Sequence, residues 1–203
     1  MVGKLFVFEG PDGVGKSTLS KMVLEECNNQ GIPTILKTFP GKDDGTLGRI
    51  VYNIHHNPED FKLNRIDSTS MQLLHVAAHI DLVAHEIEPE LKKGKHIILD
   101  RFWWSTYVYG LINGGKVETI NQMIELEKSF WNPIIPSILF LIDRDKPFNE
   151  QMDDTKWVQI RAEYLELSKK ESEAYPIKII NNTQSIVEIS NLITDNILER
   201  IQS

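Results

Sequence analysis

With 203 residues, 41% hydrophobic and 25% charged, the chain has the material for one globular domain with a full core and needs no second domain. A formal net charge of −7 weighs against a nucleic-acid polymer as partner, because a reader of phosphate backbones carries a basic face, although a local nest can still bind a small anion. The single cysteine, Cys27, excludes an internal disulfide and sits among helix-pattern residues as a packing group, which fits a reducing cytoplasm. The first strand-like run starts almost at the N-terminus without a basic, apolar and small-residue leader, and no apolar run approaches the ~18 residues a membrane span needs, so neither export nor membrane insertion is expected.

The run Leu5–Glu9 reads as a buried strand and breaks into Gly10, Pro11, Asp12, Gly13, Val14, Gly15, Lys16, Ser17 and Thr18, after which a helical pattern begins. This is the spacing G-x-x-x-x-G-K-[ST] between a strand and a helix. Gly10, Gly13 and Gly15 can take positive φ, so that successive backbone N–H groups turn inward as an anion nest at a helix N-terminus. Lys16 supplies an ammonium to the β- and γ-phosphates of a nucleoside triphosphate, and the Ser17 hydroxyl can ligate Mg²⁺.

Further along, strands are expected at Pro33–Thr38, His96–Asp100, Ser137–Asp143 and Ile177–Ile180. Helices are expected around Gly48–His55 and Ser68–Lys93, from Ser105 on, near Thr155–Lys170 and near Ser185–Ile201. Alternation of this kind describes βα units around a parallel sheet, and the uninterrupted apolar runs at 97–99 and 138–142 suit strands covered on both faces. Ligands gather at the carboxyl ends of such strands, so Glu9, Asp100 and Asp143 are expected to point into one crevice. The loop Phe39–Gly48, rich in Gly, Pro and Asp, can line it.

The pair Asp100 and Arg101 narrows the choice among phosphate-loop proteins: a strand-end carboxylate can hold a Mg²⁺-bound water, and the adjoining guanidinium can clamp phosphate oxygens. With these residues in place the sequence resembles the thymidylate kinase family. The carriers are Phe8 to Thr18, the loop Phe39, Pro40, Gly41, the stretch 73–79 followed by 87–91 and Gly94, the signature from Asp100 to Thr106, and the late helix from Arg161 to Leu167. They span essentially the whole chain.

The resemblance implies a three-layer α/β/α phosphate-loop kinase fold with a five-stranded parallel sheet, a single domain over 1–203, a usual homodimer, and γ-phosphoryl transfer from Mg·ATP to dTMP. Lys16, Asp100, Arg101 and Asp12 would be catalytic. Gly10, Asp12, Gly13, Val14, Gly15, Lys16, Ser17, Thr18 and Arg144 would hold ATP, with Ser17 and Asp100 at the metal. Asp12, Phe39, Pro40, His75, His79, Arg101, Phe102 and Tyr109 would meet the acceptor. Asp12 has an alternative use as an Asx-turn residue, and Trp103 and Trp104 read as packing.

Four positions depart from the pattern on the acceptor side. Thr38 stands near the expected arginine of the proline loop, His75 at an aromatic that stacks on thymine, His79 at a base-binding arginine, and Tyr107 at a glutamine. His75 and His79 share a helix face at i, i+4, but an imidazole lacks the guanidinium's fork and permanent charge. They can instead be simply packed helix residues. The lid, about 144–156, is short and mixed in charge, with Arg144 or Arg161 as substitutes for its usual arginine, and Val14 replaces an arginine that some relatives carry in the phosphate loop. These departures leave open a different or modified nucleotide, or another small molecule, as acceptor, and a nucleotide-binding switch without turnover.

Overall fold

In a computed structural model the described residues, 2–148 and 153–202, form a five-stranded sheet with helices on both faces. Residues 149–152 of the expected lid lie outside the described residues. In chain order the elements are β1 (Leu5–Glu9), α1 (Lys16–Asn29), β2 (Thr34–Thr38), α2 (Leu47–His56), α3 (Ser68–Leu82), α4 (Glu88–Lys92), β3 (His96–Asp100), α5 (Trp103–Ile112), α6 (Val117–Trp131), β4 (Pro136–Asp143), α7 (Asp154–Lys170), β5 (Ile177–Asn181) and α8 (Ile186–Gln202). Strand order is β2-β3-β1-β4-β5, every pairing parallel.

Alternation along each strand divides the core in two. Leu5, Val7, Ile97, Leu99, Leu139 and Leu141 face the layer of α3, α5, α6 and α7, whereas Phe6, Phe8, Ile98, Phe140 and Ile142 face α1 and α8. Both sets are almost wholly buried, which explains the unbroken apolar runs. At ~25 cal/mol per Å² of apolar surface, each of these side chains contributes roughly 1.5–3 kcal/mol of burial. Cys27 is buried in the second set, as packing.

Local chemistry sets the helix ends. Thr46 caps α2 by accepting from Arg49 N, Asp67 caps α3 at Thr69 N and Ser70 N, and Asp153 caps α7 at Thr155 N and Lys156 N. The helix expected over Ser68–Lys93 is interrupted: Pro89 brings no N–H to the ladder, and a wider π turn over Val83–Ile87 joins α3 to α4. The helix expected from Ser105 starts two residues earlier and is split by Gly114 and Gly115 into α5 and α6. Among the described residues no helix is long and apolar enough to cross a membrane.

Candidate active site

The segment between β1 and α1 is the left-handed curl that its glycines allow. Gly10, Gly13 and Gly15 have φ of 138°, 78° and 92°. At Gly10 a Cβ would lie 2.2 Å from the Ile142 carbonyl oxygen, so no side chain fits. Lys16 is buried at the head of α1, its Nζ donating to the carbonyl oxygens of Gly10 and Pro11, each at 2.7 Å. Burial, and then the neighbouring Arg101, bring its pKa down to about 8.

The end of β3 meets this curl. Ser17 Oγ donates to Asp100 Oδ2 at 2.6 Å, while Asp100 Oδ1 is buried without a partner among the described residues. A carboxylate oxygen left open beside a serine hydroxyl offers hard oxygen donors of the type Mg²⁺ prefers. The described residues contain no cluster of three His, Cys, Asp or Glu able to hold a metal.

Arg101 is one of two described non-glycine residues with positive φ, at 76°. Phe102 follows in extended conformation, so successive side chains diverge. Arg101 turns to the cleft, where Nη2 pairs with Asp12 Oδ1 and Nη1 donates to Ser105 Oγ at 3.1 Å. Burial alone would raise the pKa of Asp12, but Arg101 and Lys16 outweigh it and hold the carboxyl below its usual range. Tyr109 accepts from Asp12 N at 3.1 Å, and burial pushes its phenol well above the ordinary range.

Asp12, Ser17, Asp100, Arg101, Ser105 and Tyr109 open on a cleft of about 520 Å³ whose walls also include Thr38, Phe39, Pro40, Lys42, Tyr52, Gln72, His75, His79 and Thr106. Its wall carries the cations Arg101 and Lys42 together with the carboxyls of Asp12 and Asp100. His75 is held down to about 3 by burial and by His79 and His55, and its Nε2 sits 3.0 Å from His55 Nδ1. His79 stacks on Phe39, centroids 3.8 Å apart and planes 10° from parallel, with Nδ1 2.9 Å from Glu127 Oε1.

Of the residues named from sequence, Asp12, Ser17, Phe39, Pro40, His75, His79, Asp100, Arg101 and Tyr109 come together around this cleft. Three expectations need correction. Phe102 is absent from the cleft wall; the reversal at Arg101 sends it into the core, edge-on to Trp131 at 4.8 Å. Glu9 is buried under the site and accepts from Gly10 N, Phe102 N, Ser105 N and Ser105 Oγ, a clamp on the backbone. Asp143 is taken up by Arg161 in a two-bond fork at 2.7 and 2.8 Å.

Arg144 donates to Asn182 O and lies over the Phe148 ring at 3.9 Å, while Asn182 Nδ2 donates to Val14 O at 2.7 Å, so Arg144 flanks the phosphate loop outside the cleft. Tyr107 packs edge-on to Trp103, away from the cleft. Trp103 and Trp104 are core residues, as expected. Gln72, Ser105, Thr106 and Glu127 escaped the sequence reading. Gln72 lies at i, i+3 and i, i+7 to the two histidines, a face that spacing could have revealed; Glu127 has no such signal.

The family model described as Thymidylate kinase matches residues 8–193. The chain belongs to the thymidylate kinase family. A thymidylate kinase of Legionella pneumophila (strain Paris) is 31% identical over 206 residues, covering 100% of this chain and 94% of that one. One from Vibrio parahaemolyticus is 29% identical, with 98% and 97% covered. The crystal structure of thymidylate kinase from Ehrlichia chaffeensis superposes with a TM-score of 0.77 at 25% identity, covering 97% of this chain and 100% of that one. The three-layer phosphate-loop kinase fold and the class, an ATP-dependent nucleoside monophosphate kinase, follow for this chain.

Proposed function

We propose that the chain transfers the γ-phosphoryl group of ATP to the 5′-phosphate of dTMP, giving dTDP and ADP. An acceptor phosphate oxygen forms the new bond to Pγ, and the bond from Pγ to the β,γ-bridging oxygen breaks. The observation that carries this reading is the meeting of Asp12, Ser17, Asp100 and Arg101 on one cleft, with Lys16 buried beside them at the head of α1, in a chain whose family is thymidylate kinase.

In transfers of this kind positioning and charge neutralisation supply most of the rate. The nest from Gly10 to Thr18 holds the triphosphate, and Lys16 leaves the carbonyls of Gly10 and Pro11 for phosphate oxygens. Ser17 and Asp100 would hold Mg²⁺, which supplies charge neutralisation when bound. Arg101, tethered by Asp12 and Ser105, spans the donor and acceptor phosphates; Asp12 also meets the acceptor sugar. Phe39, Gln72, His75, His79, Thr106 and Tyr109 enclose the base. Arg144 borders the ATP side.

Two coarser features fit the same reading. Leu73 on α3 and Leu126 and Phe130 on α6 are each about half exposed, on helices that pack together, and suit contact with a second copy of the chain. A cytoplasmic site suits the lone buried thiol.

The test is a coupled ADP-release assay offering dTMP, dUMP, dCMP, dGMP, dAMP and the ribonucleotides. Preferential turnover of dTMP is expected. Turnover of another acceptor at higher kcat/KM would move the substrate, and turnover of none would leave a nucleotide-binding protein without this activity.

A further inference from the structure

Arg101 is held at both ends of its fork, Nη2 by the Asp12 carboxyl and Nη1 by Ser105 Oγ. Each of these tethers is gripped in turn by α7, a helix that adds no residue to the cleft wall. Trp157 Nε1 donates to the Asp12 carbonyl oxygen at 3.3 Å, and Tyr164 OH meets Ser105 Oγ at 2.9 Å. The two rings stand at i and i+7 on the buried stripe of α7, with Ile160 and Leu167, so one rigid element reaches both anchors of a single guanidinium. Both rings are buried, and neither lines the cleft.

The bonding at Ser105 has one solution. Its hydroxyl has one hydrogen and two lone pairs to share among three neighbours. Arg101 can only donate and takes one lone pair. Burial pushes the Tyr164 phenol well above its ordinary range, so it keeps its proton, and Ser105 Oγ is its one hydrogen-bond partner among the described residues. Tyr164 therefore donates to the second lone pair, and the serine hydrogen is left for Glu9, whose Oε2 lies 3.0 Å away. Every position on the oxygen is then committed, which fixes the lone pair that faces Nη1. Asp12 is pinned in the same way through its backbone, its carbonyl by Trp157 and its N–H by Tyr109.

We propose that Trp157 and Tyr164 are positioning residues that fix the guanidinium of Arg101 in the cleft, Trp157 through Asp12 and Tyr164 through Ser105. This rests on the reading of Arg101 as the cation that spans the donor and acceptor phosphates. A planar fork must arrive with both nitrogens aimed, and a displacement of about 1 Å in such a group can cost about 10² in rate. Neither ring reaches the cleft, so the loss falls on the transition state and leaves ground-state binding in place.

Tyr164→Phe keeps the ring and removes only the hydroxyl. Its kcat should fall about tenfold, the scale of one hydrogen bond, with KM for ATP and dTMP within about threefold of wild type. A merely structural role would carry the same loss into any background, so the deciding measurement is a double-mutant cycle. In Ser105→Ala, Tyr164→Phe should change kcat by less than about twofold, and in Arg101→Ala both Tyr164→Phe and Trp157→Phe should be equally silent. A wild-type kcat in Tyr164→Phe, or its full loss repeated in either background, would overturn the proposal. A second arm needs no substrate: ¹⁵N NMR of the arginine side chains of the full chain, with Arg101 assigned by its loss in Arg101→Lys, reads the exchange of its two Nη positions. That exchange should quicken about tenfold in Tyr164→Phe. An unchanged rate would overturn the positioning role. A wild type that turns over no acceptor while the exchange responds would overturn the reading of the reaction and leave the hold of α7 on Arg101 standing.

Discussion

Ser17 and Asp100, 83 residues apart in the chain, meet at 2.6 Å through a hydroxyl-to-carboxylate bond that ties the first turn of α1 to the end of β3. The other carboxylate oxygen remains without a partner. Such an oxygen costs stability unless a ligand uses it. Asp100→Asn keeps the shape and the bond to Ser17 but removes the charge, so kcat with ATP and dTMP should fall by about 10²–10³. Stability should change by less than ~1 kcal/mol. Steady-state kinetics and urea unfolding measure the two; undiminished kcat would remove Asp100 from the chemistry.

Arg101 combines a left-handed backbone with a cation on the wall of the cleft. Arg101→Ala and Arg101→Gly should both lose about 10³ in kcat, since neither supplies a guanidinium. They should differ in stability: glycine accepts φ of 76° without strain, so Arg101→Gly should unfold ~1 kcal/mol later than Arg101→Ala. Equal urea midpoints with equal m-values would argue against strain at this turn.

The lysine of the phosphate loop has its pKa brought down to about 8 by burial and Arg101. In the free protein Lys16 loses its charge as pH rises through that value, whereas the unfolded chain keeps it to the ordinary lysine range. Stability of the free protein should therefore rise with pH across that window, because the unfolded state binds the additional proton. ATP affinity should fall in the same window, by about tenfold from pH 7 to 9, because binding requires the proton back. Calorimetric titration with Mg·ATP reads the second effect; an affinity flat over this range, or one lost equally in Lys16→Ala, would contradict it.

Glu9 bonds four donors from beneath the phosphate loop and the start of α5. Glu9→Ala leaves the buried N–H groups of Gly10, Phe102 and Ser105 unsatisfied and should cost ~3 kcal/mol or more. Chemical denaturation checks the figure, and a loss below ~1 kcal/mol would show that other partners replace the carboxylate.

The exposed apolar face of α3 and α6 should be covered by a second copy. Phe130→Glu places a charge in that contact, so light scattering should find a dimer for the wild type and a monomer for the variant. Identical masses would assign the face to something else.

Much of this site was legible because its chemistry is local in sequence. Gly10 to Thr18 announces itself by spacing, and the sheet by apolar runs flanked by helical patterns. Asp100 and Arg101 are adjacent, so their pairing with the loop needed only the parallel topology. Legibility ended where a contact depends on how helices pack. Phe102 follows Arg101, yet the direction of its side chain depends on a reversal that no composition rule marks. Asp143 ends its strand as Asp100 does, but a fork from α7 captures it. His79 could be named from sequence while its meaning could not, since Glu127 approaches from 48 residues away on another helix.

The central claim is that one cleft brings ATP and dTMP together for direct transfer, with Lys16 and Arg101 supplying the positive charge. The measurement that meets it most directly follows radiolabel from [γ-³²P]ATP during a single turnover with dTMP, in the wild type and in Lys16→Ala and Arg101→Ala. The account predicts labelled dTDP from the wild type and at least about 10³-fold slower labelling in each variant. Label released as inorganic phosphate, or dTDP formed at the same rate without Lys16 and Arg101, would contradict it.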